Sequence, residues 1–365
     1  SKNSPNSKIL FSSNCLTFFF VNKNTSTSTT SGGTKLANFF PFGQSGADNN
    51  INTETFATST PSVIGEETKI NSKLNKLSDA PVAGAIAFNK TDKTSSTTLA
   101  RFVDRATGHI YETDLTSFNK TQISNTTVPK VYDALWSSGG NSVILRYLAE
   151  DGQGIQSFFG KIKTTSASST IEGTFLPKNI TSIVASNKLD RIISLNQSFG
   201  GASLSISQFD GTKKSQVWQS LFGEWSVSWP NDNLVTLTTK PSSTNDGLMY
   251  TLKPKTGVTE RVLGDIVGLT TLTKPDGTGL IYGSTVAQNI SLFYKDLIKN
   301  TGAFLTENTL PEKCVWSKKN TDTLYCAVPR VIPISNYPET WYQGLVSFSD
   351  NLKKKVEIHC IKCKF

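Results

Sequence analysis

Histidine and methionine are almost absent from this chain, which has two His (His109 and His359) and one Met in 365 residues. That scarcity removes most imidazole-based metal sites and most His-dependent catalysis. Charged residues make up 18% and hydrophobic residues 36%, both low for a globular protein. No apolar run reaches the ~18 residues that a bilayer-spanning helix needs. The room is taken by Ser, Thr and Asn, which favour strands, turns and linkers over helices. Lys and Arg outnumber Asp and Glu by 37 to 28, a formal charge of +9. The lysines are scattered, and their densest run, Lys353-Lys354-Lys355, is near the end of the sequence. Such a charge suits an anionic surface polymer or lipid head groups better than specific nucleic-acid recognition.

The chain divides by texture. Residues 1–21 carry two short apolar clusters, Ile9 to Phe11 and Leu16 to Val21, split by Ser12-Ser13-Asn14-Cys15. This reads either as a degraded anchor or export segment, hence a membrane tether, or as a plain apolar terminus. Residues 22–65 are a Ser/Thr/Asn/Gly-rich linker that buries too little to offset its ordering entropy. Within the linker, Phe39, Phe40 and Phe42 form a candidate docking peptide, the alternative being packing on the neighbouring domain. Residues 66–350 form the main domain, and 351–365 read as an irregular Lys-rich tail.

From about residue 80 a repeat appears: an apolar strand, a turn, a second apolar strand. Clear copies are Ala134 to Leu145 and Val315 to Tyr325. Aligned on Trp136, Ala185, Trp229, Thr273 and Trp316, the steps are 49, 44, 44 and 43 residues. Ala85-Ile86-Ala87-Phe88 supplies a copy one step earlier. Several units add a second hairpin closed by a Gly turn, as at Thr107-Gly108, Asp210-Gly211, Thr256-Gly257 and Thr301-Gly302. Two hairpins per unit make four antiparallel strands every ~45 residues, the period of a propeller blade. The expected fold is therefore all-β: a β-propeller with six visible four-stranded blades and a seventh that would be truncated.

The Trp-Ser-x-x-Gly-Asn-Ser-Val-Ile pattern at 136–144, Lys274-Pro275-Asp276-Gly277 and Phe209-Asp210-Gly211-Thr212-Lys213 resemble the hairpins of TolB-like and WD-type propellers. Residues 80–350 also look like membrane-tethered, extracytoplasmic propellers of candidate-phylum bacteria. That resemblance implies a secreted or cell-surface location and a binding role. The sequence departs from it in its short, broken anchor and in its last fifteen residues, where the pattern fades.

No motif proposes a catalytic residue. Cys360-Ile361-Lys362-Cys363 is half a zinc site with no second half, and no G-x-S-x-G occurs. No cofactor and no metal ligand are expected. The segment Val331 to Tyr342 interrupts the last unit and carries Tyr337, Trp341 and Tyr342 among prolines. It is a candidate binding surface, since Tyr and Trp dominate interface energetics, or else a cover over the central channel. Cys314 and Cys326 lie symmetrically about Asn320, so in a regular hairpin they face each other and are expected to form a disulfide. A bulge would separate them and leave two buried thiols. The reading is of a monomeric, non-catalytic, extracytoplasmic platform for a protein, a peptide or an anionic surface polymer. The alternative is a propeller hydrolase acting on polysaccharide or peptide through channel carboxylates.

Overall fold

Alternation of apolar residues with Ser and Thr, broken every few residues by Gly- or Asp-containing turns, gives short strands and hairpins throughout. The computed structural model describes residues 75–356 apart from 92–95, 150–151, 153, 165–168, 187 and 318–319. The anchor-like segment, the linker with Phe39, Phe40 and Phe42, and the terminal C-x-x-C lie outside the described residues.

The first sheet comprises β1 (Val82–Thr91), β2 (Ser96–Asp104), β3 (Ile110–Asp114) and β4 (Lys120–Gln122). The second holds β5 (Val131–Trp136), β6 (Ser142–Leu148), β7 (Ile155–Thr164) and β8 (Ser169–Phe175). The third holds β9 (Ile180–Ala185), β10 (Arg191–Ser198), β11 (Gly201–Gln208) and β12 (Ser215–Ser220). In the fourth are β13 (Trp225–Asn231), β14 (Leu234–Thr239), β15 (Asp246–Lys253) and β16 (Val258–Val267). The fifth contains β17 (Thr270–Thr273), β18 (Gly279–Val286), β19 (Asn289–Asp296) and β20 (Thr301–Leu305). The sixth has three strands among the described residues, β21 (Cys314–Trp316), β22 (Leu324–Pro329) and β23 (Asp350–Val356).

Each sheet is an antiparallel meander in chain order, and β1, β5, β9, β13 and β17 adjoin one another in succession. The result is the all-β, six-bladed propeller that the ~45-residue period predicts. One boundary differs. Residues 351–356, read above as irregular tail, belong to β23. The insertion at 330–349 shifts this strand out of the repeat's spacing, and its three consecutive lysines disguise an edge strand.

Because every blade runs up and down in turn, its loops sort to two ends. The turns between strands one and two and between three and four lie at one end, here called the first-turn face. The turns between strands two and three and the links between blades lie at the other, the connector face.

Apolar clusters fill the gaps between blades. Ile86, Val103, Ile110, Trp136 and Leu145 join the first two, and Leu195, Leu204, Trp229 and Leu237 join the third and fourth. Ile281, Leu292, Trp316 and Leu324 join the fifth and sixth. Gly84 permits the closest approach of inner strands, because a Cβ there would sit 2.0 Å from the Ala134 carbonyl oxygen.

Polar links seal the same seams at the first-turn face. The Arg101 guanidinium donates to the Gly140 carbonyl at 2.8 Å, and Ser138 N–H to the Leu189 carbonyl at 3.1 Å. Arg191 reaches Asp232 at 2.7 Å, Asn231 donates to the Pro275 carbonyl at 3.1 Å, and Lys274 meets Asp322 at 2.8 Å. The turn at Lys274-Pro275-Asp276-Gly277 shows how the motif works. Gly277 takes φ +77°, and Asp276 accepts from the Thr278 N–H at 2.9 Å.

Candidate functional site

The 330–349 insertion links β22 to β23 on the connector face. Its ends are drawn together by the Arg330 N–H donating to the Ser349 carbonyl at 2.9 Å and by Arg330 Nε donating to Asn351 at 3.0 Å. This is the layout of an Ω-loop, closed at the neck and packed by its own side chains.

Tyr337 is the anchor of that packing. It is 0% exposed and its hydroxyl donates to the Pro333 carbonyl at 2.6 Å. Its ring stacks on Phe348, and it shares a cluster with Ile290 and Leu310 of the fifth blade and its outgoing link. Trp341 packs half-buried against the same cluster. Tyr337 therefore holds the loop in place and offers no contact surface, which corrects its expected role. Below it, Lys313 is buried with its ammonium 2.6 Å from Asp350 and over the Phe348 ring. Burial pushes the Lys313 ammonium down from its ordinary value, while Asp350 opposes that shift.

What the loop presents outward is aliphatic. Ile334 is 85% exposed, Val331 74% and Leu345 73%, and Tyr342 is half-exposed. Tyr342, at the end of the short helix α1 (Glu339–Tyr342), turns its hydroxyl inward and donates to Glu312 Oε1. Glu339 Oε1 accepts from the Ser243 N–H, in the β14–β15 turn, at 2.5 Å. Burial pushes the Glu312 carboxyl above the usual carboxylate range, opposed by the Tyr342 hydrogen bond. Burial and the neighbouring Glu312 raise the Tyr342 hydroxyl well above its ordinary value.

The structure thus brings Trp341 and Tyr342 together, with rings 5.4 Å apart. Glu312, in the link before β21, and Glu339, inside the insertion, were not named from the sequence, because a lone carboxylate carries no motif. A second exposed group on the connector face was also missed: Phe199 in the β10–β11 turn, with Leu221 and Phe222 in the link to β13. Phe222 is propped from below by Trp225, whose Nε1–H donates to the Phe222 carbonyl at 2.9 Å. By contrast the first-turn face exposes only Phe118, Ile298 and Val258 as large hydrophobics among the described residues, each in or beside a separate turn.

Cys314 and Cys326 oppose each other across β21 and β22 and are joined by a 2.07 Å S–S bond. No group of three His, Cys, Asp or Glu side chains is placed to hold a metal ion among the described residues. No helix among them is long and apolar enough to cross a membrane.

No protein-family model matches the chain, and no protein of curated function matches it. Solved structures resemble its fold at low identity. TolB from Acinetobacter baumannii is 9% identical with a TM-score of 0.43, over 67% of this chain and 74% of that one. Oligogalacturonate lyase from Vibrio parahaemolyticus is 10% identical with a TM-score of 0.45, over 63% and 71%. A puromycin-hydrolyzing peptidase from Mycobacterium tuberculosis is 10% identical with a TM-score of 0.47, over 75% and 45%.

Proposed function

We propose that this protein is a non-catalytic propeller that captures a protein or peptide partner on its connector face, through the 330–349 insertion. The carrying observation is that the insertion hides its aromatic anchor Tyr337 while holding Val331, Ile334 and Leu345 in solvent and leaving Tyr342 half-exposed. A loop built only to cover the channel would turn those groups inward, since leaving large aliphatic side chains exposed forgoes their burial energy. Several large apolar side chains held in solvent by one ordered loop mark a candidate interaction surface. A hydrolase would need two carboxyl groups open to a scissile bond. Glu312, which accepts from the Tyr342 hydroxyl, and Glu339, which accepts from the Ser243 N–H, each have their other carboxyl oxygen buried.

The reading places the protein outside the cytoplasm, tethered or secreted, because a cross-strand disulfide in a buried position fits an oxidising compartment. The test is chemical cross-linking in the native host with tagged wild-type chain and an Ile334→Ser/Leu345→Ser variant. A partner cross-linked by the wild type and lost from the variant supports the assignment. An unchanged set of cross-linked partners refutes it.

A further inference from the structure

The β10–β11 hairpin and the link from β12 to β13 stand back to back at the connector end of the third blade. Ser198 pairs with Gly201, so Phe199 and Gly200 form a two-residue tip. Gly201 lies against the link, since a Cβ there would come 2.0 Å from the Ser220 carbonyl oxygen and 2.8 Å from the Leu221 Cα. Gly223 in turn lies against the Gln197 side chain, whose Nε2 would be 2.7 Å from an added Cβ. Two adjoining tips thus carry three large apolar side chains: Phe199 at 115% exposure, Leu221 at 92% and Phe222 at 68%. Their base is firm. The Phe222 N–H donates to the Ser220 hydroxyl at 3.0 Å, and the Trp225 ring beneath packs on Trp218 and Tyr250. Residues 197–201 and 219–223 contain no charged side chain. Charge begins only at their borders. The exposed Lys178 adjoins the hairpin, because the Asn179 carbonyl accepts from the Gln197 N–H at 3.1 Å. On the other side Glu224 is paired with Lys240 at 3.5 Å.

We propose that these two tips are a docking surface for an anionic lipid bilayer. Phe199, Leu221 and Phe222 enter the boundary between head groups and acyl chains, and Lys178 meets lipid phosphate. The shape selects this partner over a protein. Apolar side chains that project from loop tips need a fitted pocket for each on a protein partner, whereas a bilayer takes up apolar area without one. The charge agrees: an exposed lysine beside an uncharged apolar tip, in a chain of net charge +9, is drawn to anionic head groups. In a six-bladed ring the third blade lies opposite the sixth. The surface is therefore separate from the 330–349 insertion and does not depend on partner capture there.

The experiment floats the purified full chain on a density gradient with two kinds of vesicle. One holds phosphatidylcholine and phosphatidylglycerol in equal parts, the other phosphatidylcholine alone. The chain is expected to rise with the anionic vesicles. Phe199→Ser/Leu221→Ser should lower the partition coefficient at least about tenfold and leave Tm unchanged, because both side chains are already in water. Lys178→Ala should lower it about fivefold on the anionic vesicles. Ile298→Ser, at an exposed residue of the first-turn face, should float as the wild type does. Should the double variant fail to fold, Phe199→Glu alone carries the same expectation. The proposal is overturned if the chain rises with neither vesicle, or if the double variant floats like the wild type. It is equally overturned if Ile298→Ser lowers flotation as much as the double variant does. Unchanged flotation of a double variant that loses a cross-linked protein assigns the tips to a protein partner and overturns it too.

Discussion

At the first-turn face, Asp114, Asp190, Asp210 and Asp296 sit in turns. Asp114 and Asp296 accept backbone N–H groups at Thr116 and at Ile298 and Lys299, while Asp190 and Asp210 accept first from the hydroxyls of Ser186 and Thr212. These bonds hold all four carboxyl groups below their ordinary values. At the connector end the shift reverses. Asp133, at the start of the second blade, and Glu312 are pushed up by burial, against the opposing effects of Arg146 and Tyr342. The distribution of exposed apolar groups reverses too, from three isolated residues on the first face to the groups around Phe222 and Ile334 on the second. One face spends its polar groups on closing turns and seams, so it is finished as a structure. The other carries long, irregular links that leave large apolar side chains in solvent and bury carboxyl groups against single partners.

The largest expected effect is on a seam that both faces share. Trp229 is buried between the third and fourth blades, with the Arg191 guanidinium over its ring at 5.3 Å. Trp229→Ala should cost about 3–5 kcal/mol in urea unfolding, the usual range for a buried aromatic. A loss below about 1 kcal/mol would mean that the blades are held chiefly by the polar links of the first-turn face.

Next in size is the cross-link in the sixth blade. The Cys314→Ser/Cys326→Ser variant should lose about 2–3 kcal/mol, because the bond closes a short loop in the unfolded chain. Urea unfolding with and without reductant should reproduce the difference in the wild type and show none in the variant.

A smaller effect separates the faces by pH. Asp190 and Asp210 have folded values below their unfolded ones near 4, so their stabilisation is complete above that pH. It is lost as pH falls through the unfolded value towards the folded one. Asp133 has the opposite sign: its contribution is present below about 4 and is lost as pH rises through its raised folded value. Urea midpoints at pH 6 and pH 3 should therefore converge in Asp190→Asn/Asp210→Asn relative to the wild type. In Asp133→Asn they should diverge.

The smallest effect on stability belongs to the connector face. Ile334→Ser/Leu345→Ser should change unfolding free energy by no more than about 0.5 kcal/mol, since both side chains are already in water. A loss several times larger would show that these residues pack in solution, and the contrast between the faces would weaken.

The propeller was legible in the sequence because its period is a local property. Trp136, Trp229 and Trp316 recur at equivalent positions since each blade must bury the same inner strand against its neighbour. The Asp and Gly residues of the turns recur because a tight hairpin needs a positive φ and an acceptor for its free N–H groups. The opposition of Cys314 and Cys326 likewise follows from counting residues about a turn. What faces what across long links could not be counted. Tyr337 reads in the sequence like Tyr342, yet one is buried as an anchor and the other is half-exposed. Glu312 and Tyr342 are 30 residues apart along the chain and meet only because the insertion packs back on the link before the sixth blade. Strand pairing and turn chemistry act between residues near in sequence, so the chain alone determined blade number and hairpin register. Burial and charge at the connector face arise between segments brought together by blade packing, and the tertiary structure alone decided them.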